Sequence, residues 1–223
     1  MNRKLFAEAI FKFMLGVVLV GALLFLPAGT VHYLQGWLLM GVLFVPMFFA
    51  GLVMMKKSPE LLRRRLDAKE KAGEQQQIIR LSALLFLCAF ILSGLSVRFS
   101  WAQFPLPVSY AGAGIFLLGY VLYAFVLRQN AYLSRTIRVE DGQRVIDTGL
   151  YGVVRHPMYL ATLLLFLSMP VILGSPIAFV LMLFYIPLIA QRIRHEEKPL
   201  AKELPGYTAY MHQVRFRVIP FIW

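Results

Sequence analysis

Two short stretches of the sequence place polar side chains at the edges of apolar runs. Arg155, His156 and Pro157 directly precede one such run, and Arg192 and Glu196 follow the next one. Proline is favoured at the first position of a helix, so Pro157 is expected to begin a helix whose N–H groups and positive dipole end suit an anion. Arg192 and Glu196 are four residues apart and would share a helix face. These residue types together could bind a charged ligand where an apolar layer ends.

The two apolar runs, 158–173 and 177–190, are joined by the three residues 174–176. This pattern predicts a tight helical hairpin, whose entrance and exit lie at the same end. His156 and Glu196 are therefore expected to lie close together although they are far apart in sequence. Each run is shorter than the roughly 20 residues that a membrane-crossing helix needs. The hairpin is accordingly expected to be tilted or only just to cross. Pro199 disfavours a helix interior, which predicts that the helix bends or restarts near 195–198.

The same residues also have plainer interpretations. Arg155 and Tyr159 could simply anchor the chain at a membrane surface, because a tripeptide such as Arg-His-Pro is a weak motif. Arg192 and Glu196 could form a surface ion pair, which contributes little to stability. The segment 142–157 could be a lid folded beneath the membrane or an ordinary loop.

The composition indicates which elements must position these residues. The chain is 59% hydrophobic and 15% charged, whereas soluble domains carry about 25% charged residues. Apolar runs long enough to cross a membrane lie at about 9–28, 37–55, 78–97 and 110–127. We therefore predict an all-α polytopic membrane protein with four full spans and a short C-terminal transmembrane hairpin. The first run is interpreted as a retained span and not as a signal peptide.

The cations predict the orientation in the membrane. All 23 Lys and Arg residues except Arg98 fall on one side of this topology. Cytoplasmic loops collect such residues, so both termini and the polar segments are expected in the cytoplasm. Because the net charge is +12, the protein is expected to interact with anionic membrane lipids and not with nucleic acid. Two regions follow: 1–127, with the four spans, and 128–223, with the polar segment, the hairpin and the tail, and any chemistry is expected at the cytoplasmic face.

Other motifs are weak or absent. The single cysteine, Cys88, lies within a span, so neither a disulfide framework nor a cysteine metal site is expected. The four histidines do not have metal-ligand spacing, and no metal is expected. The stretch from Gly112 to Gly119 lies inside a span, where glycines are expected to let helices approach closely.

Three elements in order resemble a known family. They are RHPMY from Arg155, EEKPL from Glu196 and GYTAY from Gly206. Their order and spacing resemble the isoprenylcysteine carboxyl methyltransferases and the related phospholipid methyltransferases, integral-membrane enzymes that use S-adenosylmethionine without a Rossmann fold. The resemblance covers the chain from about residue 130 to its end. The chain departs from the family pattern at Ala161 and in the spacing around Gly206.

The resemblance implies site residues by matching position. It assigns binding of S-adenosylmethionine to Gln143, Arg144, Val145, Ile146, Tyr151, His156, Pro157, Met158, Tyr159 and Glu196. It places Arg192 at the methyl acceptor, as the catalytic residue. It leaves open which of Tyr207 and Tyr210 lines the pocket.

The implied activity is methyl transfer from S-adenosylmethionine to a lipophilic acceptor from the bilayer, foremost the carboxylate of an isoprenylated cysteine or a similar lipid acid. Methylation of a phospholipid ethanolamine is the alternative within the family. A non-catalytic lipid-binding or transporter-associated protein is the alternative of another class. The nearly uncharged spans argue against a transport path, which needs ionisable or helix-breaking residues near the midplane. The sequence indicates no oligomeric state.

Overall fold

The computed structural model describes residues 3–66, 73–130 and 144–223, and Gln143 lies outside these ranges. The described residues form helices joined by short turns, with no β-strand among them. In chain order the helices are α1 (Arg3–Ala28), α2 (Leu34–Lys57), α3 (Pro59–Leu66), α4 (Gly73–Arg98), α5 (Leu106–Gln129), α6 (Pro157–Ile172), α7 (Pro176–Met182), α8 (Tyr185–Glu203) and α9 (Tyr207–Gln213). A short 3₁₀ turn, Gly149–Gly152, precedes α6. The predicted all-α class is confirmed.

Five described segments are long and apolar enough to cross a membrane. They are Lys4–Ala28, Leu34–Lys57, Gln76–Arg98, Leu106–Gln129 and Pro176–Glu203. The first four match the predicted full spans, and the chain is a multi-pass integral membrane protein. The fifth is the second arm of the hairpin and contains α7 and α8. This arm is longer than the predicted run 177–190, because the helix continues through the polar residues beyond it.

The first arm of the hairpin is short. Helix α6 has 16 residues and is about 24 Å long at 1.5 Å per residue, less than the roughly 30 Å of a bilayer core. Pro157 begins this helix, as predicted. The N-terminal end of α6 therefore lies beside the polar end of the longer second arm.

The break in the second arm lies near Leu183, and the predicted restart at 195–198 is wrong, because α8 runs without interruption from Tyr185 to Glu203. Pro187 has no N–H to donate to the Leu183 carbonyl, and its ring crowds that oxygen. The chain tightens there instead: Ile186 N–H donates to Leu183 O at 3.1 Å and Phe184 N–H to Leu181 O at 3.2 Å. Pro199 lies inside α8 without ending it. Buried side chains at Ile193 and Glu197 hold the helix in place just before this proline.

Helix α5 packs closely along α6, and glycines permit the approach. A Cβ atom at Gly119 would lie 2.9 Å from Leu165 Cγ, and one at Gly112 would lie 3.0 Å from Val171 Cγ1. Both distances are shorter than ordinary van der Waals contact. The predicted role of these glycines in close helix packing is confirmed.

The buried apolar side chains form two clusters within the helical bundle. The first joins α1, α2, α4, α5 and α6 through residues such as Leu24, Leu39, Phe116 and Ile172. It crosses the boundary drawn between 1–127 and 128–223, so both regions share a core. The second cluster joins the hairpin to the C-terminal tail. It is built from Tyr159, Leu163, Met182, Tyr185, Ile189, Ile193 and Val218, among others.

Candidate active site

The C-terminal tail lies against the chain segment that enters α6. Arg155 N–H donates to Phe216 O at 2.9 Å, and His156 N–H donates to Arg217 O at 2.7 Å. The Arg155 guanidinium reaches three further tail carbonyls through Nη1, those of Met211 (3.3 Å), Val214 (3.0 Å) and Arg215 (3.2 Å). The tail is thereby fixed at the entrance of the hairpin.

Glu197 lies at the centre of this arrangement. Its Oε1 accepts from Arg155 Nε at 2.8 Å and lies 3.2 Å from His156 Nε2, and its Oε2 accepts from Arg217 Nε at 2.9 Å. The side chains of Arg155, His156 and Glu197 are at most 9% exposed. Removal of one partner from such a buried cluster leaves an uncompensated charge, which costs about 3–5 kcal/mol. This cluster joins three elements: the entrance of α6, the end of α8 and the tail.

Sequence reasoning selected Glu196 and missed Glu197. A signal for Glu197 was present, because Ile189, Ile193 and Glu197 recur at four-residue intervals and therefore lie on one helix face. All three side chains are buried in the structure. Glu196 is only half-buried and has a different set of contacts.

Glu196 and Arg192 meet at the phenol of Tyr159. Tyr159 Oη donates to Glu196 Oε2 at 2.6 Å, and Arg192 Nε donates to Tyr159 Oη at 3.0 Å. Tyr159 is buried, and Arg192 and Glu196 are half-buried. Together with the contact between His156 and Glu197, these bonds confirm that the entrance and exit of the hairpin come together. The phenol links two residues to which the sequence assigned different partners.

A group of aromatic residues lies next to this network. Tyr210 Oη donates to Tyr151 O at 2.7 Å, and Asn130 Nδ2 donates to Tyr151 Oη at 3.0 Å. Tyr207 is 5% exposed, and its hydroxyl finds no hydrogen-bond partner among the residues that the structure describes. Burial raises the pKa of both Tyr207 and Tyr210 well above the ordinary value of a phenol. Both hydroxyls are therefore protonated and can donate.

The segment before the 3₁₀ turn is placed beside α9. Val145 packs against a buried cluster formed by Leu204, Tyr207, Tyr210 and Val214. Ile146 is half-buried and Arg144 is exposed. The structure thus brings Val145, one of the residues selected as cofactor-binding, to the tail tyrosines.

At the start of α6, Pro157 is buried and Met158 is half-buried. His156 is the N-cap residue, and its side chain makes no capping bond. Its ring contacts Glu197 and lies with its centroid 5.8 Å from that of Tyr159. These residues lie next to the Tyr159 network, and Gln143 is the one selected residue that falls outside the described ranges.

The site lies at one end of the helical bundle. Leu150 N–H donates to Gln129 Oε1 at 3.0 Å, which places the 3₁₀ turn at the C-terminal end of α5. The N-terminal end of α6 and the polar end of α8 meet there as well. Among the described residues, this end combines an apolar hairpin with arginine, glutamate and tyrosine side chains. Such a set can hold a polar ligand next to an apolar one.

The model of the isoprenylcysteine carboxyl methyltransferase family matches residues 112–202. The match contains the RHPMY and EEKPL elements and ends before the tail tyrosines. It covers most of α5, all of α6 and α7, and nearly all of α8.

Similar curated proteins include three Delta(14)-sterol reductases. The protein of Mus musculus is 31% identical over 91 residues, which are 40% of this chain and 22% of that protein. The protein of Arabidopsis thaliana is 23% identical over 145 residues, 60% of this chain and 39% of that protein. The protein of Methylotuvimicrobium alcaliphilum is 27% identical over 93 residues, which are 40% of this chain and 22% of that protein. The chain therefore spans well under half the length of these relatives.

The fold is similar to a solved structure, the eukaryotic intramembrane Ras methyltransferase, an isoprenylcysteine carboxyl methyltransferase. The TM-score is 0.53 at 16% sequence identity, and the alignment covers 100% of this chain and 88% of the other. At this identity the likeness concerns the fold.

Proposed function

We propose that the chain belongs to the isoprenylcysteine carboxyl methyltransferase family, whose model matches residues 112–202, and that it is an integral-membrane methyltransferase that acts on a lipophilic carboxylate. The observation that carries the proposal is the Tyr159 phenol, which joins Arg192 and Glu196 at 3.0 Å and 2.6 Å where the hairpin ends. An arginine and a carboxylate held by one buried phenol could bind two ligands side by side.

The proposed methyl donor is S-adenosylmethionine. The described residues suit it: Glu196 offers a carboxylate to an ammonium or hydroxyl group, and the buried Tyr207 hydroxyl has no partner among them. Val145 packs against the tail tyrosines, Tyr151 accepts from Tyr210, and His156 and Tyr159 contact Glu197 and Glu196. We propose that Arg144, Ile146, Pro157 and Met158, which adjoin these residues in sequence, complete the binding site. Bound there, S-adenosylmethionine would supply a methyl group on a positively charged sulfur.

Arg192 would hold the acceptor. A guanidinium grips a carboxylate through two parallel hydrogen bonds, and Tyr159 Oη accepts from Arg192 Nε, which fixes the plane of the guanidinium. In-line displacement needs the acceptor oxygen aligned with the methyl carbon. Arg192 would provide this alignment, and the apolar hairpin would accept the lipid chain and exclude water.

The charge of Arg192 favours a carboxylate over an amine as the acceptor. An ammonium head group would be repelled by the guanidinium, whereas a carboxylate is attracted to it and hydrogen-bonded by it. We therefore favour the carboxylate of an isoprenylated cysteine, or of a similar lipid acid, over the ethanolamine of a phospholipid as the methyl acceptor.

The proposed location of the site is the cytoplasmic face, with both termini in the cytoplasm. The support is the distribution of cations, of which only Arg98 lies at the opposite end of the spans in the predicted topology. A polar methyl donor could then enter from the cytosol and a lipid from the bilayer. Reporter fusions that place either terminus on the far side would contradict this orientation.

The proposed function can be tested with purified protein, methyl-labelled S-adenosylmethionine and a total lipid extract. Mass spectrometry of the labelled lipid is expected to find a methyl ester. A label on an amine would indicate the phospholipid alternative. The absence of any labelled lipid, together with no binding of S-adenosylmethionine, would contradict a methyltransferase.

Reduction is a second candidate, favoured by the similarity to the three Delta(14)-sterol reductases. A reductase needs a hydride donor, commonly a reduced nicotinamide dinucleotide. Calorimetric titration of the detergent-solubilised protein with S-adenosylmethionine and, separately, with NADPH distinguishes the two. We expect binding of the first only, and selective binding of NADPH would favour the reductase.

A further inference from the structure

Tyr207 differs from its neighbour Tyr210 in one respect. Both belong to α9, both are at most 5% exposed, and their ring centroids are 5.7 Å apart. Tyr210 Oη donates to Tyr151 O at 2.7 Å. Tyr207 Oη has no hydrogen-bond partner within residues 3–66, 73–130 and 144–223. The Tyr210 hydroxyl is thus hydrogen-bonded within the protein, whereas the Tyr207 hydroxyl has no acceptor among the described residues.

A buried hydroxyl without a partner is unfavourable, because it loses its bonds to water and gains none in return. Such groups are uncommon in folded proteins, and a missing ligand is one of the usual reasons. Burial raises the pKa of Tyr207, and the nearby carboxylates of Glu197 and Glu196 raise it further. The hydroxyl is therefore protonated and is available as a hydrogen-bond donor.

The surroundings of Tyr207 indicate the kind of acceptor. The buried cluster around it consists of Leu204, Tyr210 and Val214, with Val145 packed against it from the segment before the 3₁₀ turn. These side chains are apolar or aromatic. A flat purine ring with acceptor nitrogens fits such a place, since its faces contact apolar groups and its edge accepts hydrogen bonds.

We infer that Tyr207 is a ligand-binding residue whose hydroxyl donates a hydrogen bond to the nucleoside half of the methyl donor. This inference rests on the proposed function and adds a contact from the tail, which lies outside the family match. Tyr210 has a structural role and holds α9 on the 3₁₀ turn. The tail thus belongs to the cofactor site.

The test compares Tyr207→Phe with Tyr210→Phe in the full chain, purified in detergent. Two quantities are measured: the thermal midpoint without ligand, and the affinities for S-adenosylhomocysteine and 5′-methylthioadenosine. The second ligand keeps the nucleoside and lacks the amino-acid group. Tyr207→Phe is expected to keep or raise the midpoint and to weaken both ligands about tenfold. Tyr210→Phe is expected to lower the midpoint by several degrees.

Each other outcome overturns the inference in a distinct way. Unchanged affinity in Tyr207→Phe would exclude the contact while wild-type binding upheld the proposed function. A midpoint loss as large as that of Tyr210→Phe would assign the Tyr207 hydroxyl to a protein partner. Weakening of S-adenosylhomocysteine alone would move the contact to the amino-acid half. A wild-type protein that binds neither ligand would contradict the proposed function itself, and the inference with it.

Discussion

Arg155 Nε lies 2.8 Å from Glu197 Oε1, with the two side chains 6% and 9% exposed. Through this pair the entrance of α6, the end of α8 and the tail are joined at one point. Arg155 also holds three tail carbonyls. The pair therefore fixes the segment that carries Tyr207 and Tyr210 against the hairpin.

Glu197→Ala is expected to destabilise the protein strongly, because it leaves two guanidinium groups without their carboxylate. Loss of one partner of a buried ion pair costs about 3–5 kcal/mol, and the partial exposure of Arg217 places the expected loss near the lower end. Thermal unfolding in detergent measures it. Glu196→Ala is the matched control one residue away, and a loss of stability there as large as in Glu197→Ala would contradict the separate roles.

Glu196→Ala is expected to weaken binding of S-adenosylmethionine while the protein stays folded. The half-buried Glu196 has fewer charged partners among the described contacts than Glu197, so its removal should affect the ligand more than the fold. Calorimetric titration gives the affinity, and extraction yield monitors folding. Unchanged affinity in this variant and in His156→Ala would exclude both as cofactor-binding residues.

Tyr159→Phe removes one oxygen that bonds to both Arg192 and Glu196. The ring stays in its apolar surroundings, so we expect a modest effect on stability. Loss of the two bonds should lower kcat at least tenfold, since each bond to a charged group contributes about 1.5–3 kcal/mol. Steady-state kinetics measure kcat and KM for both substrates. A turnover like that of the wild type would show that the phenol does not position the two charged residues.

Arg192→Ala is expected to lower turnover at least tenfold with little change in affinity for S-adenosylmethionine. The reason is that Arg192 is assigned to the acceptor, whose charge it would hold by a contact of roughly 1.5–3 kcal/mol. Arg192→Lys should restore little, because an ammonium cannot reproduce a two-pronged grip. Equal losses of cofactor affinity in Arg192→Ala and Glu196→Ala would instead assign both residues to the cofactor.

Gly119→Ala should destabilise the bundle by roughly 1–3 kcal/mol, the usual cost of overpacking. The added Cβ would meet Leu165 Cγ at 2.9 Å. Gly114→Ala is the control, because a Cβ there has no heavy atom within 4 Å. Thermal midpoints of the two variants are compared, and equal values would contradict the close packing of α5 on α6.

The sequence predicted those features that depend on local pattern. The apolar runs predicted the spans, and Pro157 predicted the start of α6. The hairpin pattern predicted that the entrance of its first arm and the exit of its second arm lie close together. Pro187 and Pro199 were harder to rank, because a proline breaks a helix only where packing does not hold it. The choice between Glu196 and Glu197 depended on the tail, since Arg217 and the carbonyls that hold Arg155 come from residues far along the chain.

The central claim is tested most directly with a defined acceptor, N-acetyl-S-farnesylcysteine, and its carboxamide as the control. With methyl-labelled S-adenosylmethionine, we predict a base-labile methyl ester on the carboxylate compound, no label on the carboxamide, and ester formation at least tenfold slower with Arg192→Ala. The methyl–sulfur bond breaks as an oxygen–methyl bond forms, so the free carboxylate is required. An unlabelled carboxylate alongside a labelled phosphatidylethanolamine, or equal labelling of acid and amide, would contradict the account.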